Sequence, residues 1–167
     1  MKFKYLLLLS VSGTIISLDM WTKNLILKHF VLGESLPIFN SFFSITYVRN
    51  PGAAFGFLNT WDAKFRIPFF IIVPMLALFF ILYFFRKLPE SDRLVATGMS
   101  LIMGGAIGNL IDRISYNYVI DFLDFYWGSN GPHFPAFNVA DSAITVGVAF
   151  FIIDMFKKSK TDASDSI

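Results

Sequence analysis

The stretch FPAFNVADSAITVGVAFFII, residues 134–153, is the last apolar run of the chain, and it carries a carboxylate, Asp141, in its interior. The first apolar run, YLLLLSVSGTIISLDMWT at residues 5–22, carries Asp19 in the same way. Neither run reaches the roughly 20 residues that cross a bilayer unless its aspartate is counted inside. An aspartate at the centre of a spanning helix costs about 2.5–3.5 kcal/mol, so such a residue usually has a function.

Composition supports a membrane location. Of the 167 residues 55% are hydrophobic and 16% are charged, and the mean hydropathy is +0.60. Soluble domains average about 45–50% apolar and about 25% charged residues. The absence of cysteine excludes a disulfide framework, a thiolate zinc site and a cysteine nucleophile. His29 and His133 are too few and too far apart for zinc, and a net charge of +2 gives no case for nucleic-acid binding.

The apolar runs predict one domain with four transmembrane helices. The predicted spans are residues 5–25, 67–85, 94–111 and 138–156, followed by a flexible polar tail at 159–167. The first span follows a short basic start, as in a secretory signal, but it lacks a small-residue cleavage site. We therefore expect it to be an uncleaved anchor.

The distribution of Lys and Arg predicts the orientation of the spans. Basic residues precede the first span, follow the fourth, and fill the loop at residues 86–93, whereas residues 116–138 contain no Lys or Arg. Cytoplasmic loops are enriched in these residues. We therefore expect both termini in the cytoplasm, and the segments at 28–66 and 112–137 outside.

Three polar residues from three spans should lie at one depth. With a rise of about 1.5 Å per residue, Asp19, Asn109 and Asp141 lie about 21, 22 and 18 Å from the cytoplasmic boundary. Asp112 and Arg113 lie one turn further out. The spans therefore predict a polar site inside the bundle that opens towards the outer face.

The external segments contain further structure. Residues 44–49 alternate and include β-branched side chains, which predicts a short strand followed by a turn at Asn50-Pro51-Gly52. Apolar residues at near-helical spacing over 55–65 predict a short interfacial helix, and residues 124–137 predict an aromatic loop. The expected fold is an all-α integral membrane protein with a small extracytoplasmic β element.

Five short blocks occur in order along the chain. They are Asp19–Lys23 (DMWTK), Asn50–Gly56 (NPGAAFG), Gly108–Arg113 (GNLIDR), Val119–Phe122 (VIDF) and Phe137–Ser142 (FNVADS). They resemble the D-x-x-T-K, N-x-G-A-A-F/W-G, G-N-x-x-D-R, V-x-D-F and F-N-x-A-D-S blocks of the lipoprotein signal peptidases, also called signal peptidase II. Met20 departs from the glutamine of many relatives, at a position with no proposed catalytic role.

The resemblance implies an aspartic endopeptidase of the bacterial plasma (inner) membrane. It would cut a prolipoprotein before a cysteine that carries diacylglycerol, with Asp121 and Asp141 as the catalytic pair. It implies no cofactor or metal, contact with membrane lipid, and inhibition by cyclic peptides such as globomycin, and we expect a monomer. The residues expected to bind substrate or support the site are Asp19, Lys23, Asn50, Gly52, Ala53, Asn109, Asp112, Arg113, Val119, Asn138 and Ala140.

Several of these residues also have a structural interpretation. Asp19 could form an i,i+4 ion pair with Lys23, and Asp112 and Arg113 could belong to an ion-pair network that braces the site. The asparagines could be buried, hydrogen-bonded amides. Asp121 lies in an expected external loop, whose apolar flank suggests an edge that dips into lipid.

Other functional classes fit intramembrane carboxylates as well. A small transporter or proton channel is one, although no inverted repeat is visible, and a non-catalytic lipopeptide-binding protein is another. Ser142 with Lys23 would give a serine hydrolase. Replacing Asp121 by Asn separates a peptidase from a channel, because a peptidase would accumulate precursor and a channel would lose flux.

Overall fold

The part of the chain that the structure describes contains four long helices and three short strands. A computed structural model describes residues 2–52, 58, 61–128 and 131–164. The elements, in chain order, are α1 (Phe3–His29), β1 (Ser35–Phe39), β2 (Phe43–Asn50), α2 (Ala63–Lys87), α3 (Arg93–Tyr116), β3 (Val119–Phe125) and α4 (Val139–Ser164). Within the described residues, four helices are long and apolar enough to cross a membrane, as predicted.

The helix α3 occupies the centre of the bundle and packs against the other three helices. Its glycines allow the close approach. A Cβ atom on Gly105 would lie 2.3 Å from the carbonyl oxygen of Ala140 in α4, and one on Gly104 would lie 2.9 Å from Ile15 in α1. The glycine-rich stretch of the third span therefore serves helix packing, which agrees with the role of small residues in membrane helices.

The three strands form one antiparallel sheet in the order β1-β2-β3. The strand predicted at residues 44–49 is confirmed as part of β2. The other two strands were missed. Pro37 in β1 weakens a strand signal and fits an edge strand. The first four residues of β3 are all buried, so its sequence does not show the alternation of polar and apolar residues that marks a half-exposed strand.

The loop assignment of Asp121 is therefore wrong, as is the idea that its apolar flank dips into lipid. Asp121 lies in β3, and its neighbours Ile120 and Phe122 are buried against Ile26 and Tyr47. These side chains are apolar because they form a core between the sheet and the end of α1.

Two other boundaries differ from those expected. Residues 53–57, 59 and 60, which include five of the eleven residues of the interfacial helix predicted at 55–65, lie outside the described part. Phe65, the last residue of that predicted helix, belongs to the first turn of α2, which begins after the N-cap Asp62. The helix α4 continues to Ser164, into the predicted polar tail. A helix does not have to end where its apolar portion ends.

Candidate active site

Asp141 is held in position by the way α4 begins. Asn138 precedes the helix, and its side-chain oxygen accepts a hydrogen bond from the backbone N–H of Asp141 at 2.9 Å. In return, Asp141 Oδ2 accepts from the backbone N–H of Asn138 at 3.3 Å. This reciprocal pair is a capping box with Asp in the third helical position. The local sequence Asn-x-x-Asp thus fixes both the helix start and the direction of the carboxylate.

Asp121 approaches the same place from the sheet. It lies in β3 opposite Val48 of β2, and its side chain is 1% exposed. Asp121 Oδ1 accepts from Asn138 Nδ2 at 2.7 Å, and Oδ2 accepts from Asn50 Nδ2 at 3.0 Å. Asn138 therefore contacts both carboxyl groups, which links the end of β2, the middle of β3 and the start of α4.

The environment of Asp121 favours its protonated form. Burial, followed by the negative charge of Asp141, raises the pKa of Asp121 from 3.8 to about 7. Hydrogen bonds from Asn50 and Asn138 act in the opposite direction, because they stabilise the carboxylate. A carboxyl group whose pKa is near 7, and which lies beside a second carboxyl group, can gain or lose a proton at the pH of the cell.

A buried polar cluster from α1 and α3 completes the surroundings. Asn109 Nδ2 donates to Asp141 Oδ1 at 2.7 Å, and its Oδ1 accepts from Lys23 Nζ at 3.0 Å. Lys23 also forms ion pairs with Asp19 at 2.7 Å and with Asp112 at 2.9 Å. The convergence expected from helical rise is therefore confirmed, as is the i,i+4 pair on α1.

Three further predicted residues, Gly52, Arg113 and Val119, lie around Asn50 and the turn after β2. Arg113 donates to the carbonyl oxygens of Asn109 and Gly52, both at 3.2 Å. Gly52 N–H donates to Asn50 Oδ1 at 3.1 Å, which fixes the turn after β2. Val119 pairs with Asn50 in the sheet. Arg113 thus braces the turn through backbone oxygens.

Two predicted residues have simpler outcomes. Ala140 is fully buried, and its N–H donates to Asp19 Oδ1 at 2.9 Å. Ala53 lies outside the described residues.

The serine hydrolase arrangement finds no support, since Ser142 Oγ donates to the carbonyl oxygen of Asn138 at 2.9 Å and the Lys23 ammonium has other partners.

A cavity of about 800 Å³ opens beside Asp141, whereas Asp121, which is 1% exposed, is not among the residues that line it. Asn109, Arg113 and Asp141 form its polar end. Most of the other lining is apolar and comes from α2, α3, β3, α4 and the loop before α4: Val73, Pro74, Ala77, Ala106, Val119, Phe134, Pro135, Ala136, Phe137, Ile144 and Val146. A long apolar chain with a polar group at one end would match this lining.

Sequence reasoning missed the contribution of α2 and of Thr145 to this cavity. Val73, Pro74 and Ala77 belong to a uniformly apolar span, in which nothing separates a cavity-lining side chain from a lipid-facing one. Thr145 lies one turn after Asp141, and its Oγ1 donates to the carbonyl oxygen of Asp141 at 2.9 Å. Its position on the helix face of Asp141 was the only available signal.

Comparisons with known proteins agree with this arrangement. A family model described as Signal peptidase (SPase) II matches residues 11–157. The lipoprotein signal peptidase of Syntrophus aciditrophicus is 47% identical over 96% of this chain and 98% of its own length. That of Geobacter metallireducens is 46% identical over 99% of this chain and 100% of its own.

Solved structures extend the likeness to the fold. A bacterial membrane enzyme determined by the in meso method at 2.3 Å resolution superposes with a TM-score of 0.81 and 33% identity, covering 92% of this chain and 90% of that one. A second, at 1.9 Å resolution, gives a TM-score of 0.79 and 32% identity, covering 90% and 92%. The chain therefore belongs to the signal peptidase II family, the lipoprotein signal peptidases, and is a multi-pass bacterial membrane protease.

Proposed function

We propose that the chain is an aspartic endopeptidase that removes the signal peptide from diacylglyceryl-modified prolipoproteins, with Asp121 and Asp141 as the catalytic pair. The observation that carries the proposal is the contact of both carboxyl groups with one residue, Asn138. Close carboxyl groups do not easily ionise together, so they share a proton and divide into a base and an acid. The pKa of about 7 for Asp121 fits a shared proton at neutral pH.

The proposed reaction uses one water molecule. The ionised carboxylate takes a proton from the water while the water oxygen attacks the scissile carbonyl carbon, and the protonated carboxyl group gives its proton to the carbonyl oxygen. The tetrahedral intermediate then loses its C–N bond, and the leaving nitrogen receives a proton from the pair. The products are a free carboxylate and a new amino terminus. Acid–base assistance of this kind contributes about 10²–10⁴-fold to a rate.

The asparagines hold the pair in a geometry suited to this chemistry. Asn50, Asn109 and Asn138 each donate to a carboxyl oxygen of Asp121 or Asp141. These bonds restrict rotation of the two carboxyl groups, so the substrate does not have to order them. Positioning of this kind supplies much of an enzyme's rate enhancement.

The cavity supports a lipid-bearing substrate. Its polar end contains Asp141, and its lining is otherwise largely apolar. A diacylglyceryl cysteine combines two acyl chains with a peptide bond, and we propose cleavage of the bond just before that cysteine. A cyclic peptide such as globomycin would inhibit by placing a hydroxyl group between the carboxyl groups.

We further propose that both termini face the cytoplasm and that the site lies near the outer face. The basic residues at the start of α1, at the end of α2 and at the start of α3 support this orientation. The sheet then lies outside the membrane, where a translocated prolipoprotein would arrive. The expected state is a monomer.

The direct test is incubation of the purified protein with a diacylglyceryl lipopeptide, with the products identified by mass spectrometry. We expect cleavage before the modified cysteine by the wild type and none by Asp141→Asn. Asp154→Asn is the matched control, because Asp154 lies on the same helix and pairs with Lys158 at 2.9 Å, away from the site. Equal cleavage by Asp141→Asn, or equal use of an unmodified peptide, would contradict the proposal.

A further inference from the structure

Lys23 is a buried cation whose hydrogen-bonding capacity is fully used inside the protein. Its side chain is 2% exposed. An ammonium group has three N–H donors, and Lys23 Nζ has three close acceptors, at 2.7 Å in Asp19, 2.9 Å in Asp112 and 3.0 Å in Asn109. No donor remains for a substrate.

The two carboxylates paired with Lys23 each hold a backbone N–H group. Asp19 Oδ1 accepts from the N–H of Ala140 at 2.9 Å, and Asp112 Oδ2 accepts from the N–H of Ile120 at 3.0 Å. Ala140 comes directly before Asp141, and Ile120 directly before Asp121. Lys23 therefore lies at the middle of a series of ion pairs and hydrogen bonds that connects the backbone next to Asp141 with the backbone next to Asp121.

The third partner of Lys23 adds an orientation effect. Because Asn109 Oδ1 accepts from the ammonium, the amide nitrogen of Asn109 must point the other way, and it donates to Asp141 Oδ1 at 2.7 Å. Asn109 Oδ1 also accepts from Asn138 Nδ2 at 3.1 Å, so the cation and Asn138 together fix which way this amide faces. Loss of the cation removes the charged one of these two donors, and the amide would then hold the Asp141 carboxylate less firmly.

We propose that Lys23 is a positioning residue that fixes the separation of the Asp121 and Asp141 carboxyl groups, by tying Asp19 and Asp112 to each other and orienting Asn109. This inference rests on the proposed function, since the separation matters only if the two carboxyl groups react together. Small displacements of a catalytic group can lower a rate about 100-fold. Loss of the cation should therefore act on turnover more than on substrate binding.

The test measures kcat, KM and the pH dependence of lipopeptide cleavage for the wild type and for Lys23→Met. We expect kcat to fall about 100-fold with KM within about threefold of the wild-type value. The positive charge of Lys23 also lowers the pKa of Asp121, so its removal should move the alkaline limb of the rate profile to higher pH. A loss of folded protein would lower the rate equally at every pH and leave the limb in place.

Two further variants separate positioning from folding. In Asp19→Asn/Lys23→Met/Asp112→Asn no uncompensated charge is left, and both asparagines can still accept from the backbone N–H groups. This variant should elute and unfold like the wild type but turn over slowly. Lys28→Met is the control for charge on α1, because Lys28 is exposed at the end of the helix, and it should leave kcat unchanged.

The outcomes are distinct. If the wild type cleaves and the folded Lys23 variants keep its kcat and its alkaline limb, the inference is overturned while the proposed function stands. If Lys23→Met raises KM and leaves kcat unchanged, the lysine binds substrate and the inference is also overturned. If the wild type cleaves no lipopeptide, the proposed function fails and the inference fails with it.

Discussion

The helices α2 and α3 are both charge-free through their predicted spans, yet they have opposite roles. In the 18-residue apolar segment of α2 the mean hydropathy is 2.6 and 6% of the segment is buried inside the protein. In the corresponding segment of α3 the mean hydropathy is 1.7 and 56% is buried. The more apolar helix exposes phenylalanine, leucine and isoleucine side chains, and the less apolar one carries glycine, Asn109 and Asp112 into the centre. In a membrane, high hydropathy marks a surface that faces lipid, while small and polar residues mark the packed and functional interior.

The sharpest test of this difference is Asn109→Ala on α3. The change removes a hydrogen bond to the Asp141 carboxylate and an acceptor of Lys23. A hydrogen bond to a charged group is worth about 1.5–3 kcal/mol, so we expect cleavage to slow by about 10- to 100-fold. The measurement is kcat on a lipopeptide, with the exposed Asn24→Ala on α1 as control. A wild-type rate would mean that the polar content of α3 is not functional.

The second test concerns packing and compares two helical glycines. In Gly105→Ala the new Cβ would lie 2.3 Å from the carbonyl oxygen of Ala140, whereas nothing lies within 4 Å of a Cβ at Gly13. We expect Gly105→Ala to lower the free energy of unfolding by about 1–3 kcal/mol. Gly13→Ala should be neutral or stabilising by up to about 1 kcal/mol. Unfolding in detergent micelles checks both, and equal stability of the two variants would refute the close packing of α3.

The third test is the pH dependence of turnover, which reports on the interior that α3 supports. A carboxyl group with a raised pKa keeps its proton up to that pKa, which is about 7 for Asp121. Above it both carboxyl groups are ionised and no acid remains to protonate the carbonyl oxygen. We expect kcat to fall about tenfold per pH unit on this side. A rate that stays level up to pH of about 9 would show that no shared proton is needed.

The smallest effect is expected on α2. Phe79 is 63% exposed, and lipid would cover the face it lies on. In a membrane, Phe79 would lie among apolar lipid chains in both the folded and the unfolded protein. We therefore expect Phe79→Ala to change the free energy of unfolding by no more than about 0.5 kcal/mol and to leave kcat unchanged. Thermal unfolding and the cleavage assay provide the measurement. A large loss of stability would mean that α2 packs against a surface outside the contacts described above.

Helical periodicity explains why part of the site could be predicted. Asp19, Asn109 and Asp141 lie on regular helices, so counting residues places them at one depth, and the structure brings them into one network. The existence and number of the spans follow from the length of the apolar runs, which is also a local signal.

Contacts between distant segments could not be predicted in this way. The pairing of Asp121 with Val48 depends on the contact of β3 with β2, and these two residues lie 73 positions apart in the chain. The three partners of Lys23 likewise depend on how α1 and α3 rotate about their axes. Hydropathy contains no information on that rotation, and the same limit hid the cavity-lining residues of α2.

The central claim is that Asp121 and Asp141 act as one catalytic unit, and a double-mutant cycle of cleavage rates tests it most directly. Wild type, Asp121→Asn, Asp141→Asn and the double variant are compared on the same lipopeptide. We expect each single variant to lose at least about 10³-fold in kcat and the double variant to be no slower than either, because groups that act together are not additive. Losses that multiply, or a single variant with wild-type turnover, would contradict the account.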